Sequence, residues 1–234
     1  MKNTSLEHIL FLDIETVGMV QSYAQMSERM QHLWDKKAER LKDTPEQTPE
    51  QIYQKAGIYA EFGKVICISV AFLKGDKLRI KSFYDDNEKV LLENFAELLN
   101  TYFSKSHHRL CAHNGKEFDF PYLCRRMLIN GITIPSVLDA SGKKPWETTF
   151  LDTLEMWKFG DYKHYTSLDL LAAIFDIPSP KDDIDGSMVH SVYWQEKDLN
   201  RISDYCKKDV LTVVQLFLRY QGKELLDENQ IVML

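Results

Sequence analysis

Apolar and polar positions alternate at the start of the chain. Leu10, Leu12 and Ile14 fall on one side of an extended segment, and Phe11, Asp13 and Glu15 fall on the other. This predicts a first strand over about 8–14. The pattern then changes period. Met26, Met30, Leu33, Trp34, Lys37 and Leu41 recur at helical spacing and predict a helix over 24–42. The tetrapeptide TPEQ occurs at 44–47 and again at 48–51. Thr at the cap, Pro first and Gln third is a capping-box arrangement, which predicts two helix starts. The polar helical stretch of about 20–60 is expected to be an insertion on the rim of the domain.

Strand patterns return at KVICISVAFL (64–73) and KLRIKSFY (77–84), joined by the turn KGD, which reads as a hairpin. Asp86 or Asn87 can cap a helix whose stripe is Leu91, Leu92, Phe95, Leu98, Leu99 and Tyr102. RLCAHN (109–114) reads as a buried strand. A helix follows Asp119 and stops near Asn130–Gly131. TTFLDTL (148–154) reads as a further strand. Helices are expected at about 166–175 and 197–220, with a loop at 176–186 between them. Strands in a hairpin, then strands alternating with helices, predict an α/β fold with a mixed five-stranded sheet flanked by helices. The length of 234 residues suits one domain, 1–234.

Composition narrows the classes. Apolar residues make up 44 % of the chain, yet no run of 18 of them occurs and the first ten residues hold no signal-peptide core. A soluble, cytoplasmic protein without a membrane partner is expected. The net charge of −6 argues against a protein that coats nucleic acid through a basic face, although not against an enzyme gripping a few nucleotides at a metal centre. Cys67, Cys111, Cys124 and Cys206 are far apart and read as reduced, buried thiols. The seven histidines show no metal-ligand spacing. His113 and His190 read as structural.

Four acids stand where an acid needs explaining. Asp13 and Glu15 share one strand face, roughly 7 Å apart along the axis. Asp119 opens a helix directly after a strand. Asp209 lies within the apolar stripe of the last helix, one turn after Tyr205, on the face turned to the core. Buried like charges are costly unless something compensates them. Each position alone has a plain reading: D-x-E is common, Asp119 can be an N-cap, and Asp209 can pair with a distant Arg.

Taken together, the order resembles the DEDD superfamily of 3′–5′ exonucleases, which have a ribonuclease-H-like fold. D-x-E on the first strand is matched by Asp13 and Glu15. Asn followed by Phe-Asp and a helix is matched by Asn114, Phe118 and Asp119. Tyr-x-x-x-Asp on a late helix is matched by Tyr205 and Asp209, as in the tyrosine subgroup. FLDIETVG, EFGKVICISVAF, NGKEFDFPYL and SPKDDIDGS look most like stand-alone bacterial proteins related to the exonuclease domain of family B DNA polymerases. The resemblance runs from about residue 9 to about 220, and the insertion is not part of the shared motifs.

The resemblance implies two divalent ions, Mg²⁺ or Mn²⁺, which suit oxygen ligands. Asp13 would bridge them. Glu15 and Asp209 would hold the ion carrying the attacking water, and Asp119 the other. Tyr205 would orient that water. The implied product is a nucleoside 5′-monophosphate cut from a 3′ end, and the implied partners are single-stranded nucleic acid, DNA ahead of RNA, and a replication or repair protein. Thr16, Asn114 and Phe118 would line the nucleotide pocket. Asp152 reads as structural, with a supporting place beside the site as its other reading. Lys116, Arg125, Arg126, Lys143, Lys144 and Lys163 are candidate phosphate contacts. Two alternatives stay open: a 3′–5′ exoribonuclease, and a catalytically silent nucleic-acid-binding module.

Overall fold

The computed structural model describes residues 5–161, 165–178 and 184–234. Lys163 and part of the 176–186 loop lie outside the described residues. In chain order the elements are β1 (Ile9–Gly18), α1 (Glu28–Ala38), β2 (Gly63–Lys74), β3 (Lys77–Tyr84), α2 (Glu88–Tyr102), β4 (Arg109–Ala112) and α3 (Asp119–Ile129). They continue with β5 (Leu151–Asp152), α4 (Thr153–Lys158), α5 (Leu168–Ile174), a short α6 (Val189–Ser191), α7 (Leu199–Tyr220) and β6 (Ile231–Met233).

The sheet has six strands in the order β5-β4-β1-β2-β3-β6. β1, β2 and β3 are antiparallel neighbours, while β4, β5 and β6 join in parallel. The sheet is mixed, as expected, with β6 as a sixth strand that the sequence pattern does not announce. Alternation on β1 sorts its side chains as predicted. Leu10, Leu12 and Ile14 pack with α2 and α3 on one face, whereas Ile9 and Phe11 pack with α7 on the other. β1 runs on to Gly18, beyond the expected 14. Register shifts between Glu15 and Thr16, so that Glu15 faces Cys67 and Thr16 faces Val65. The extra residue on β2 is Ile66. This bulge turns the consecutive Ile66 and Cys67 toward the same cluster under α7.

The hairpin forms as expected around Gly75, whose φ of +67° suits glycine. Asn87 caps α2 by accepting from the Lys89 and Val90 amides. Three expectations change. The predicted 148–154 strand shrinks to Leu151–Asp152, because the Asp152 carboxylate accepts from the Leu154 and Glu155 amides and starts α4 at once. The 24–42 helix shortens to α1. The two TPEQ starts lead to no α-helix. The second does form its reciprocal bonds, Thr48 N–H to Gln51 Oε1 at 2.8 Å and Gln51 N–H to Thr48 Oγ1 at 3.3 Å, but turns and a 3₁₀ segment, Tyr53–Ile58, follow.

The insertion has a small aromatic core of Trp34, Tyr53 and Phe62. It docks beside the end of β1. The Tyr122 hydroxyl of α3 donates to Gly57 O at 2.7 Å, and Arg126 donates to Ala60 O at 2.8 Å. A Cβ on Gly57 would lie 3.1 Å from the Val17 backbone, so this approach favours glycine.

Candidate active site

Three elements converge at the second half of β1. Alternation aims Asp13 and Glu15 at α7, opposite Ser69 and Cys67 of β2. Helical spacing on α7 stacks Tyr205 over Asp209. α3 brings Asp119 as its first residue; Phe118 occupies the cap position, so Asp119 is not the N-cap. Oxygen atoms of Asp13 and Glu15 and the Cys206 sulfur all lie within 4.8 Å of one another. The charges of Asp209 and Asp119 act on both Asp13 and Glu15. Asp119 and Asp209 thus lie near Asp13 and Glu15, outside that 4.8 Å group, with Tyr205 hydrogen-bonded to Asp209.

The electrostatics are one-sided. Burial, then the negative charges of Asp209 and Asp119, raise the Asp13 carboxyl well above its usual range. Burial and Asp13 do the same to Glu15. Burial pushes Asp119 up to about 7. Burial and Asp209 raise the Tyr205 phenol, so it is a hydrogen-bond donor and not a phenolate. Among the described residues no Lys or Arg forms an ion pair with Asp13, Glu15 or Asp119. The side-chain partner that the structure gives Asp13 is a weak one, the Cys206 thiol at 3.3 Å. A cluster of desolvated carboxylate oxygens with so little compensation fits hard divalent cations.

The other sequence candidates divide. Asn114 adopts φ +63°, and its amide donates to Asp152 Oδ1 at 3.0 Å. The Lys116 amide donates to Asp152 Oδ2, also at 3.0 Å. Asp152 thus ties the β4–α3 loop to the start of α4, which is a structural role. Phe118 packs against Tyr122, with ring centroids 5.3 Å apart. The Thr16 side chain hydrogen-bonds to Tyr122. Lys116, Arg125 and Lys143 line one cavity of ≈ 330 Å³ with an apolar floor that includes Phe120 and Phe150. Lys144 extends over Trp146 instead. Arg126 is no phosphate contact: it is buried against Glu88.

His113 bridges Thr153 Oγ1 at 2.9 Å and Thr166 O at 3.1 Å, and His190 Nε2 lies 3.2 Å from Gln21 O. Both are structural, as expected. Although the sequence spacing scatters the histidines, the fold gathers His8, His107 and His108, with ring centroids 4.3 Å apart for His8–His107 and 4.7 Å for His107–His108.

Two residues near the acids were not singled out from sequence for this place. Cys206 was read as a bland thiol. Its position directly after Tyr205 on the core-facing stripe was the available signal. The Tyr165 phenol is raised by burial of its ring and then by the Asp119 charge, which places it near that acid although the residue as a whole is exposed. Nothing in the local sequence points to it, because His113 and Thr166 set its place.

Residues 58–231, more than half of the chain, match a family model described as predicted 3′–5′ exonuclease related to the exonuclease domain of PolB. The matched stretch holds Asn114, Phe118, Asp119, Tyr205 and Asp209; Asp13 and Glu15 precede it. A search of curated proteins finds no match. Among solved structures the chain is similar to the family B DNA polymerase of the hyperthermophilic archaeon Pyrobaculum calidifontis, at 15 % identity and a TM-score of 0.56. The alignment covers 90 % of this chain and 24 % of the polymerase chain, so the chain spans about a quarter of that protein's length. This likeness is one of fold, and it places the sheet and its helices in the ribonuclease-H-like arrangement.

Proposed function

The chain belongs to the family of predicted 3′–5′ exonucleases related to the exonuclease domain of PolB, and we propose that it removes nucleoside 5′-monophosphates from the 3′ end of single-stranded DNA. The reading assigns it to the tyrosine subgroup of the DEDD enzymes, as a bacterial exonuclease domain acting in the cytoplasm beside a replication or repair protein. The observation that carries the proposal is the gathering of Asp13, Glu15, Asp119 and Asp209 beside Tyr205, with no Lys or Arg of the described residues paired to Asp13, Glu15 or Asp119.

Asp13, Glu15, Asp119 and Asp209 would hold two divalent ions, Mg²⁺ or Mn²⁺. When bound, such ions supply charge neutralisation at the phosphodiester and a water of lowered pKa. The Tyr205 hydroxyl, its pKa raised and its proton kept, orients that water by hydrogen bond. Asp209 fixes the direction of that hydroxyl. Thr16, Asn114 and Phe118 lie on the elements that surround the acids, where a terminal nucleotide would sit. The Thr16 hydroxyl is positioned by Tyr122, and Asn114 by the Asp152-bound loop.

A single gel tests the proposal. Purified protein is incubated with 5′-labelled single-stranded DNA or RNA and Mg²⁺ or Mn²⁺, with Asp13→Ala as control. A DNA ladder shortening from the 3′ end, lost on chelation and in the variant, is expected. Shortening of RNA alone moves the substrate to RNA. No degradation of either polymer removes the enzyme reading, and full activity of Asp13→Ala removes the site assignment.

A further inference from the structure

Past Glu15, β1 continues for three residues to Gly18, roughly 10 Å along the strand. The Gly18 carbonyl accepts a hydrogen bond from the Trp194 indole N–H at 3.3 Å. Trp194 sits in a π-helical turn, Val192–Glu196, ahead of α7. Such turns are rare and recur at functional sites. The turn ends on Lys197, a non-glycine residue at φ +60°. The Lys197 ammonium lies 4.9 Å from the Trp194 ring centroid and the Lys64 ammonium 5.1 Å.

The two lysines differ. Lys64 donates to the Tyr193 hydroxyl at 2.7 Å, which donates to Asp86 Oδ1 at 2.8 Å. Asp86 thereby offsets Lys64. No acid among the described residues lies within ion-pair distance of the exposed Lys197. Lys64, Asp86, Tyr193, Trp194, Lys197 and Leu199 line a cavity of ≈ 450 Å³, a ligand-sized space. Trp194 and Leu199 of its lining pack against the same hydrophobic cluster as Tyr205, under α7. Leu199 precedes Tyr205 by six residues, about 9 Å along the helix.

We propose that this cavity is a second subsite for the substrate strand, in which the Trp194 ring stacks on a base and Lys197, with Lys64, contacts a phosphate. An aromatic platform beside cations is how proteins hold single-stranded nucleic acid without reading its sequence. The inference rests on the exonuclease reading above. The indole is already oriented by its bond to Gly18, whereas the unpaired Lys197 chain is free to leave the ring for a phosphate.

Fluorescence anisotropy with labelled oligo-dT and oligo-U tests it, in Ca²⁺ and with oligonucleotide integrity checked on a gel. Octanucleotides are expected to bind the wild-type protein more tightly than dinucleotides. Lys197→Gln should narrow that gap and reduce the steepness of log K against log salt by about 0.7, one phosphate contact on a single strand. Trp194→Ala should weaken octanucleotide binding about 5- to 150-fold, and Trp194→Phe, which keeps a ring, should recover most of it. Recovery separates stacking from loss of fold, and circular dichroism of Trp194→Ala checks the fold directly. Wild-type octanucleotide binding that neither Lys197→Gln nor Trp194→Ala changes overturns the subsite and leaves the exonuclease reading standing. A wild-type protein that binds none of these oligonucleotides overturns both.

Discussion

Two places where the fold takes acids out of water are solved in opposite ways: Glu88 between α2 and α3, and the cluster of Asp13, Glu15 and Asp119 around the second half of β1. Glu88, 8 % exposed, receives two hydrogen bonds from Arg126, which is 4 % exposed, and one each from Asn130 and the Val65 amide. Arg126 Nη1 donates to Ala60 O. That network joins α2, α3, β2 and the insertion, and its charge closes on itself. Asp13, Glu15 and Asp119 have no such cation among the described residues; burial raises the proton affinity of all three, and the neighbouring acids add to it at Asp13 and Glu15. A paired buried carboxylate organises structure, because geometry and charge are both satisfied. A cluster left short of positive charge stores a demand that a bound cation can meet.

That contrast can be broken from either side. Asp13→Asn should lower the exonuclease rate by on the order of 1,000-fold or more, since metal-centred charge stabilisation supplies several kcal/mol, and should leave the folded chain at least as stable without metal. Rate assays paired with thermal melts check both halves. Arg126→Met should do the reverse in kind. Leaving Glu88 buried and unpaired is expected to destabilise the fold by about 3–5 kcal/mol, read as a lower urea midpoint, and Glu88→Leu in the same chain should recover most of that loss.

Tyr205→Phe should slow turnover by roughly 100-fold, the scale of a lost proton-handling contact. Metal affinity, followed by calorimetry, should stay nearly constant, because the phenol adds no ligand atom to the acids.

The smallest effect is on pH. The folded carboxyl of Asp119 titrates at about 7, above the ~3.9 of an unfolded Asp. The folded state therefore binds more protons between those values, and stability falls as pH rises through them. In EDTA, the melting temperature should be several degrees higher near pH 5 than near pH 8, at about 2–4 °C for each kcal/mol. Mn²⁺ should restore more of it at pH 8 than at pH 5. A flat profile in EDTA would place the acids in solvent and erase the contrast with Glu88.

Much of this was legible in the sequence where backbone period decides it. The facing of Asp13 and Glu15, the hairpin around Gly75, the Asn87 cap and the stacking of Tyr205 over Asp209 follow from spacings of two to four residues. Legibility failed where a local signal met a tertiary competitor. The Thr48–Gln51 capping bonds formed, yet docking against Val17 and Tyr122 left a 3₁₀ segment in place of a helix. Thr149 and Phe150 look like strand, but the Asp152 carboxylate turns the chain into α4. Arg126 looked like a free surface cation until Glu88, distant in sequence, claimed it.

The sequence alone determined which side chains share a face, because the pleat of a strand and the pitch of a helix are properties of the backbone. It determined the order of the acids along the chain and, through that order, the family they resemble. Only the tertiary structure decided that β1, the start of α3 and the middle of α7 meet at one point, and that Cys206 and Tyr165 stand beside it. It also decided that Glu88 found a cation while, among the described residues, Asp13 did not. Those outcomes depend on strand order and on which apolar faces bury each other, contacts between residues tens to hundreds of positions apart, and no local period encodes them.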